Sequence, residues 1–100
     1  MPTAYITAPP ETAADLANRL VEERVAACVN AVDCRSTYRW EGEIHREDEV
    51  ILLAKTTDER FSDLVSLVEE THPYDVPCIE RFDETDELPA FATWRRDSVA

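Results

Sequence analysis

Residues 72–79 read HPYDVPCI and set one of the chain's two histidines and one of its three cysteines between paired prolines. An imidazole and a thiol at this spacing could be metal ligands, and together they suit copper or zinc. They could also be a nucleophile and its base, or simply part of a stiff turn. Pro73 disfavours helix at His72, and Pro77 does so at Val76, so the stretch is extended and rigid. That separates Cys78 from His72, and no third orienting group is evident, so an enzyme is not expected.

The remaining thiols, Cys28 and Cys34, are six residues apart. On one strand they share a face but stand about 20 Å from each other, too far to hold one ion within a chain. An odd number of cysteines without C-x-x-C spacing argues against both a disulfide framework and a zinc knuckle, and reduced thiols are expected. Lys55, the only lysine, closes an apolar run. Beside Cys28 its ammonium would favour the thiolate or hold an anion. Equally, Cys28 could be core and Lys55 a strand end.

These residues need elements to position them. TAYITA, closed by Pro9 and Pro10, is a short β-branched and apolar strand. Ala13, Leu16, Ala17, Leu20 and Val21 then recur at helical spacing, with Pro10 suited to the first turn and the stripe ending near Glu23. Residues 27–40 and 43–57 form two extended arms around Glu41 and Gly42, the only glycine, which reads as a tight hairpin. A two-residue turn sets Tyr38 opposite His45, Arg35 opposite Asp48, Cys34 opposite Glu49 and Cys28 opposite Lys55, in the absence of a bulge. Phe61, Leu64, Val65 and Val68 mark a second helix, with Thr57 or Asp58 as N-cap. PCIERFD is a last strand, and 88–98 a short terminal helix with Phe91 and Trp94 three apart.

Strand, helix, strand, strand, helix, strand, helix is the split βαβ pattern of the ferredoxin-like α+β class with an added C-terminal helix. One domain spanning 1–100 accounts for it. The hairpin arms are more than twice the usual strand length of about five or six residues, so the tip should project, carrying Tyr38 and Trp40. Another copy of the chain is the simplest cover for these aromatics, in a closed symmetric oligomer.

Net charge is -12, with 22 acidic residues, and 44% of the chain is hydrophobic. A folded globule with an anionic surface follows, and nucleic acid is an unsuitable partner because phosphate binding needs clustered cations. Such a surface fits a salt-rich cytosol, where screening relieves self-repulsion. The N-terminal MPTAYITAPPETAADL has no basic and apolar leader pattern, and no run reaches membrane-span length, so a cytoplasmic location is expected.

Taken in order, TAP at 7–9, ERVAACVN at 23–30, YRWEGEI at 38–44, EVILLAKTT at 49–57 and HPYDVPCI at 72–79 resemble the divalent-cation tolerance family, CutA. The resemblance covers nearly the whole chain. It implies a ferredoxin-like subunit, a tight homotrimer built through the long hairpins, likeness to the PII signalling trimers, and an association with copper and other divalent cations. It brings no established reaction and no required cofactor. The family's characteristic positions fall on Cys28, Tyr38, Trp40, Gly42, Glu49, Lys55, His72, Pro73, Tyr74 and Pro77, and the resemblance implies that they cluster near clefts between subunits. Two departures stand out: some relatives carry thiols where this chain has Ile6 and Leu67, and the usual motif has Glu at the place of Cys78.

Two functions follow as expectations. In the first, the trimer responds to metal ions, with divalent metal held loosely by His72, Cys78 or Cys28 and acidic groups of a neighbouring subunit. In the second, it is a PII-like sensor or scaffold whose cleft takes a small anionic ligand, clamped by Lys55 and an arginine. A lining of Lys55 and backbone donors favours the anion; convergent His72, Cys78 and Glu favour the metal.

Overall fold

A computed structural model describes residues Met1–Ala100. The first strand, β1 (Pro2–Ala8), buries Ala4, Ile6 and Ala8 on one face, as strict alternation requires. Helix α1 (Pro10–Glu22) begins with proline at its first position, where no N–H is needed, and buries Ala13, Leu16 and Leu20. Val21, part of the apolar stripe in the sequence, is 41% exposed. Past the helix, Arg24 is left-handed, and the Val25 and Ala26 amides return to the Leu20 carbonyl. Arg60 then donates to the Arg24 and Glu23 carbonyls, putting a cation at the negative end of α1.

Strands β2 (Cys28–Trp40) and β3 (Glu43–Lys55) pair without a bulge from Cys28↔Lys55 to Trp40↔Glu43, so every pair expected from the two-residue turn is present. Glu41 and Gly42 both have positive φ, the type I′ geometry that matches strand twist. Helix α2 (Phe61–Thr71) buries Leu64, Leu67 and Val68. Leu67, rather than Val65, faces inward. Its N-cap is Arg60, with no side-chain cap, and not Thr57 or Asp58. A turn joining the Thr57 carbonyl to the Arg60 amide precedes the helix, and the Asp58 carboxylate is drawn to Arg81. Strand β4 (Ile79–Asp83) and helix α3 (Pro89–Ser98) complete the chain.

The strands order as β2-β3-β1-β4, every neighbour antiparallel, which is the ferredoxin-like α+β sheet. Both α1 and α2 cover one face, and 14 residues from them, the sheet and the α1–β2 connection make the core. β1 reaches only as far as Val50, so the seven pairs from Cys34↔Glu49 to the turn form a free ribbon, about 20 Å long. It stretches the molecule to 45 × 25 × 20 Å.

Helix α3 departs from its apolar signature. The rings of Phe91 and Trp94 meet in a tilted pair at 5.5 Å but remain 36% and 46% exposed, while Arg95 is the buried residue. Its guanidinium donates to the Pro2 and Thr56 carbonyls at 3.0 and 3.2 Å and pairs with Glu84 at 3.1 Å and Glu87 at 3.6 Å. Thr3 also donates its hydroxyl to Glu84. A polar clamp, rather than an apolar stripe, docks the last helix.

Candidate functional site

Because directly opposed residues of paired strands point to the same side, the register assigns the face that the helices leave uncovered. Thr3, Tyr5 and Thr7 of β1 lie there with Glu49, Ile51, Leu53 and Lys55 of β3. Cys28, Val32, Cys34, Tyr38 and Trp40 of β2 share it, as do Glu80 and Phe82 of β4. Val32, Tyr38, Trp40 and Phe82 are 37–50% exposed.

Where the free ribbon leaves the sheet, it faces the 73–78 segment across a cavity of about 620 Å³. Tyr38, Trp40 and Glu49 come from the ribbon, Thr7 from β1, and Pro73, Tyr74, Asp75, Val76 and Cys78 from the rigid stretch before β4. Glu49 is only 5% exposed, and its Oε2 accepts a 3.0 Å hydrogen bond from the Tyr74 hydroxyl. Burial first, and then that bond to Glu49, push the phenol far above its usual range, so Tyr74 stays a donor. The chain's two histidines each back one of the tyrosines: His45 stacks on Tyr38 at 5.4 Å, and His72 packs against Tyr74 at 4.7 Å.

His72 itself is fully committed. Its Nδ1 accepts the Tyr74 backbone N–H at 3.1 Å, which leaves the ring proton on Nε2 to donate to the Thr7 carbonyl at 2.8 Å. It thus ties the end of α2 to β1 and fixes the start of the proline stretch. No lone pair remains for a metal within the chain, contrary to the metal-ligand expectation for this residue. Cys78 does face the open side of the sheet. Its sulfur lies 3.8 Å from Glu80 Oε1, and burial, then the Glu80 charge, push the thiol up, only partly offset by a bond with Thr7. No three His, Cys, Asp or Glu side chains converge as a metal cage. A resident ion therefore does not fit a single subunit.

The expected cluster divides in two. Trp40, Glu49, Tyr74 and Cys78 line one cavity. Cys28 and Lys55 share the same face but sit at the far end of β2 and β3, about 20 Å from the Glu49 rung. Lys55 Nζ bonds Asn30 Oδ1 at 3.0 Å, so the ammonium is held by an amide. No lysine or arginine lines the cavity. The contact between Glu49 and Tyr74 escaped sequence reasoning because the two are joined only by the path of the 72–78 segment over the sheet.

A ferredoxin-like subunit with one bare sheet face, a projecting ribbon and a cleft at the ribbon's base belongs to the PII-like class of folds. The family model for the CutA1 divalent ion tolerance protein matches residues 3–98. The divalent-cation tolerance protein CutA of Thermus thermophilus is 42% identical over 96 residues, covering 94% of this chain and 93% of that protein. The periplasmic divalent cation tolerance protein CutA from Archaeoglobus fulgidus superimposes with a TM-score of 0.96 at 36% identity, over 100% of both chains. The PII-like protein CutA from Nostoc sp., in apo form, gives 0.97 at 30% identity, over 100% of this chain and 98% of that one. The chain belongs to the CutA1 divalent ion tolerance family.

Proposed function

We propose that residues 1–100 act as one CutA-like domain that assembles into a homotrimer and serves in the cellular response to divalent metal ions, without catalysing a reaction. The observation that carries the reading is the uncovered sheet face, with Val32, Tyr38, Trp40 and Phe82 still 37–50% exposed along it and along the ribbon. Four large aromatic and branched side chains left exposed on one face call for a partner surface. A closed ring of identical subunits supplies it without leaving edges open.

Divalent ions, copper included, would meet the assembly at the clefts, where Cys78 and Glu80 offer a thiol and a carboxylate 3.8 Å apart and Glu49 lies on the same face. Each subunit holds too few ligands, so a neighbour must complete the set. The anionic-ligand alternative has less support, since the cavity lining has no cation and Lys55 is elsewhere. Three unpaired cysteines favour a reducing compartment, and we assign the cytoplasm; the acidic surface favours a salt-rich one.

Sedimentation should give three times 11.4 kDa. A monomer at micromolar concentration would refute the assembly. Copper calorimetry in high salt should show weakened binding for Cys78→Ser and unchanged affinity for His72→Ala. The reverse order would return His72 to the ligand set.

A further inference from the structure

His72 is sealed inside the subunit by its own chain: it is 8% exposed, and both ring nitrogens bond backbone groups of that chain. Assembly can only deepen this burial, so the two bonds do not depend on what covers the sheet face. Nδ1 accepts the Tyr74 N–H at 3.1 Å, and it can do so only while it carries no proton. A proton on Nδ1 would set two donors head on and take away the acceptor of Tyr74. Nε2–H, donating to the Thr7 carbonyl at 2.8 Å, would be left as it is.

We propose that His72 is a proton-operated latch: in mild acid the ring takes up a second proton on Nδ1, the Tyr74 amide is released, and the bend through Pro73–Val76 opens while α2 stays tied to β1. Histidine is the side chain whose ordinary titration falls between about pH 5 and 8. On the β1 side the ring meets the uncharged Thr7 backbone. On its own segment Tyr74 is held as a neutral phenol, and Asp75 is exposed, as are Glu69 and Glu70 in the last turn of α2. Glu49 of β3 stands beyond the Tyr74 ring, bonded to its hydroxyl, and is the competing proton acceptor. The negative end of α2 favours a charged ring, which eases proton uptake without restoring the Tyr74 bond. Cys78 has its own contacts, with Thr7 and Glu80, so the release stops short of it and the inference stands apart from the metal reading.

The test follows the His72 ring nitrogens and the Tyr74 amide of the full chain by NMR from about pH 8 to about pH 5, with amide exchange corrected for its intrinsic pH dependence. At the upper end Nε2 alone should carry the ring proton. As the ring titrates, protection of the Tyr74 amide should fall about tenfold with the same midpoint, the usual loss for one hydrogen bond, while amides of β1 and α1 keep theirs. His72→Gln, which does not titrate, should show no step. Glu49→Gln should keep the step. A ring that titrates while Tyr74 stays protected, a ring that stays neutral to the end of the range, or a step retained by His72→Gln would each overturn the latch. A step lost in Glu49→Gln would assign the proton to the carboxylate and overturn it as well. Where a variant does not fold, the shared midpoint of ring and amide in the wild type decides.

Discussion

Arg95→Ala should cost the protein about 3 kcal/mol, more than any single apolar truncation in α3. The guanidinium is 1% exposed and serves two carbonyls and two carboxylates. Breaking a buried ion pair from one side typically costs about 3–5 kcal/mol, because the abandoned charge stays behind. Here Glu84 and Glu87 keep 26% and 18% of their side-chain surface exposed, so water can reach them and the lower end applies. The Pro2 carbonyl retains the Thr56 amide, whereas the Thr56 carbonyl loses its guanidinium partner. Urea unfolding followed by circular dichroism, at one protein concentration and one salt, measures the loss. A double-mutant cycle with Glu84→Gln should give a coupling of about 1–3 kcal/mol, since the two side chains share a network. Arg95→Met combined with Glu84→Gln and Glu87→Leu should recover most of the stability, as apolar replacement of whole buried ion sets commonly does. A loss under about 1 kcal/mol for Arg95→Ala, or no coupling to Glu84, would refute the clamp as the device that docks α3.

Trp40→Ala should weaken assembly by about 2 kcal/mol before it weakens the subunit fold; sedimentation at falling concentration, beside unfolding curves, checks the order. Gly42→Ala should destabilise by about 1 kcal/mol in equilibrium unfolding. Its φ is +81 and an added Cβ meets nothing within 4 Å, so the cost is purely conformational and Asn should be milder than Ala. Stability should also fall in acid through Glu84. Burial raises its pKa, but bonds from Thr3 and Arg95 outweigh that and leave the folded value lowered. Its stabilisation is therefore complete above the unfolded value of about 4.3 and disappears as pH falls through the lower folded value. Glu84→Gln should flatten that acid limb in thermal melts between neutral pH and pH 3; an unchanged limb would contradict the assignment.

Fold and register were legible because they rest on local rules. The β-branched apolar run of β1 and the helical spacing in α1 and α2 placed the elements and most of their buried residues, though Val21 is exposed and Leu67 rather than Val65 faces inward. A single glycine, coming after an acid between two extended arms, allowed one short turn, and the turn then fixed all the hairpin pairs. Pro73 and Pro77 predicted an extended 72–78; His72 is extended, but the chain bends through Pro73–Val76, where the Tyr74 N–H turns back to His72 Nδ1. The N-cap of α2 was misread because Asp58 had a stronger partner in Arg81, a contact 23 residues away in sequence that no local signal marks.

By itself, then, the chain determined its elements, their pairing, its acidic surface and its family, all of which depend on neighbours in sequence or on an ordered series of motifs. Only the tertiary structure decided which side chains meet. It turned His72 from a candidate metal ligand into a tie between the end of α2 and β1, since its nitrogens are satisfied by the Thr7 carbonyl, 65 residues away, and the Tyr74 N–H. It also set Tyr74 on Glu49, kept Lys55 away from the cavity, and buried Arg95 of the last helix while leaving Phe91 and Trp94 partly exposed. The physical reason is shared: burial and hydrogen bonding are settled by distances between segments far apart in the chain, and these exist only once the sheet has closed.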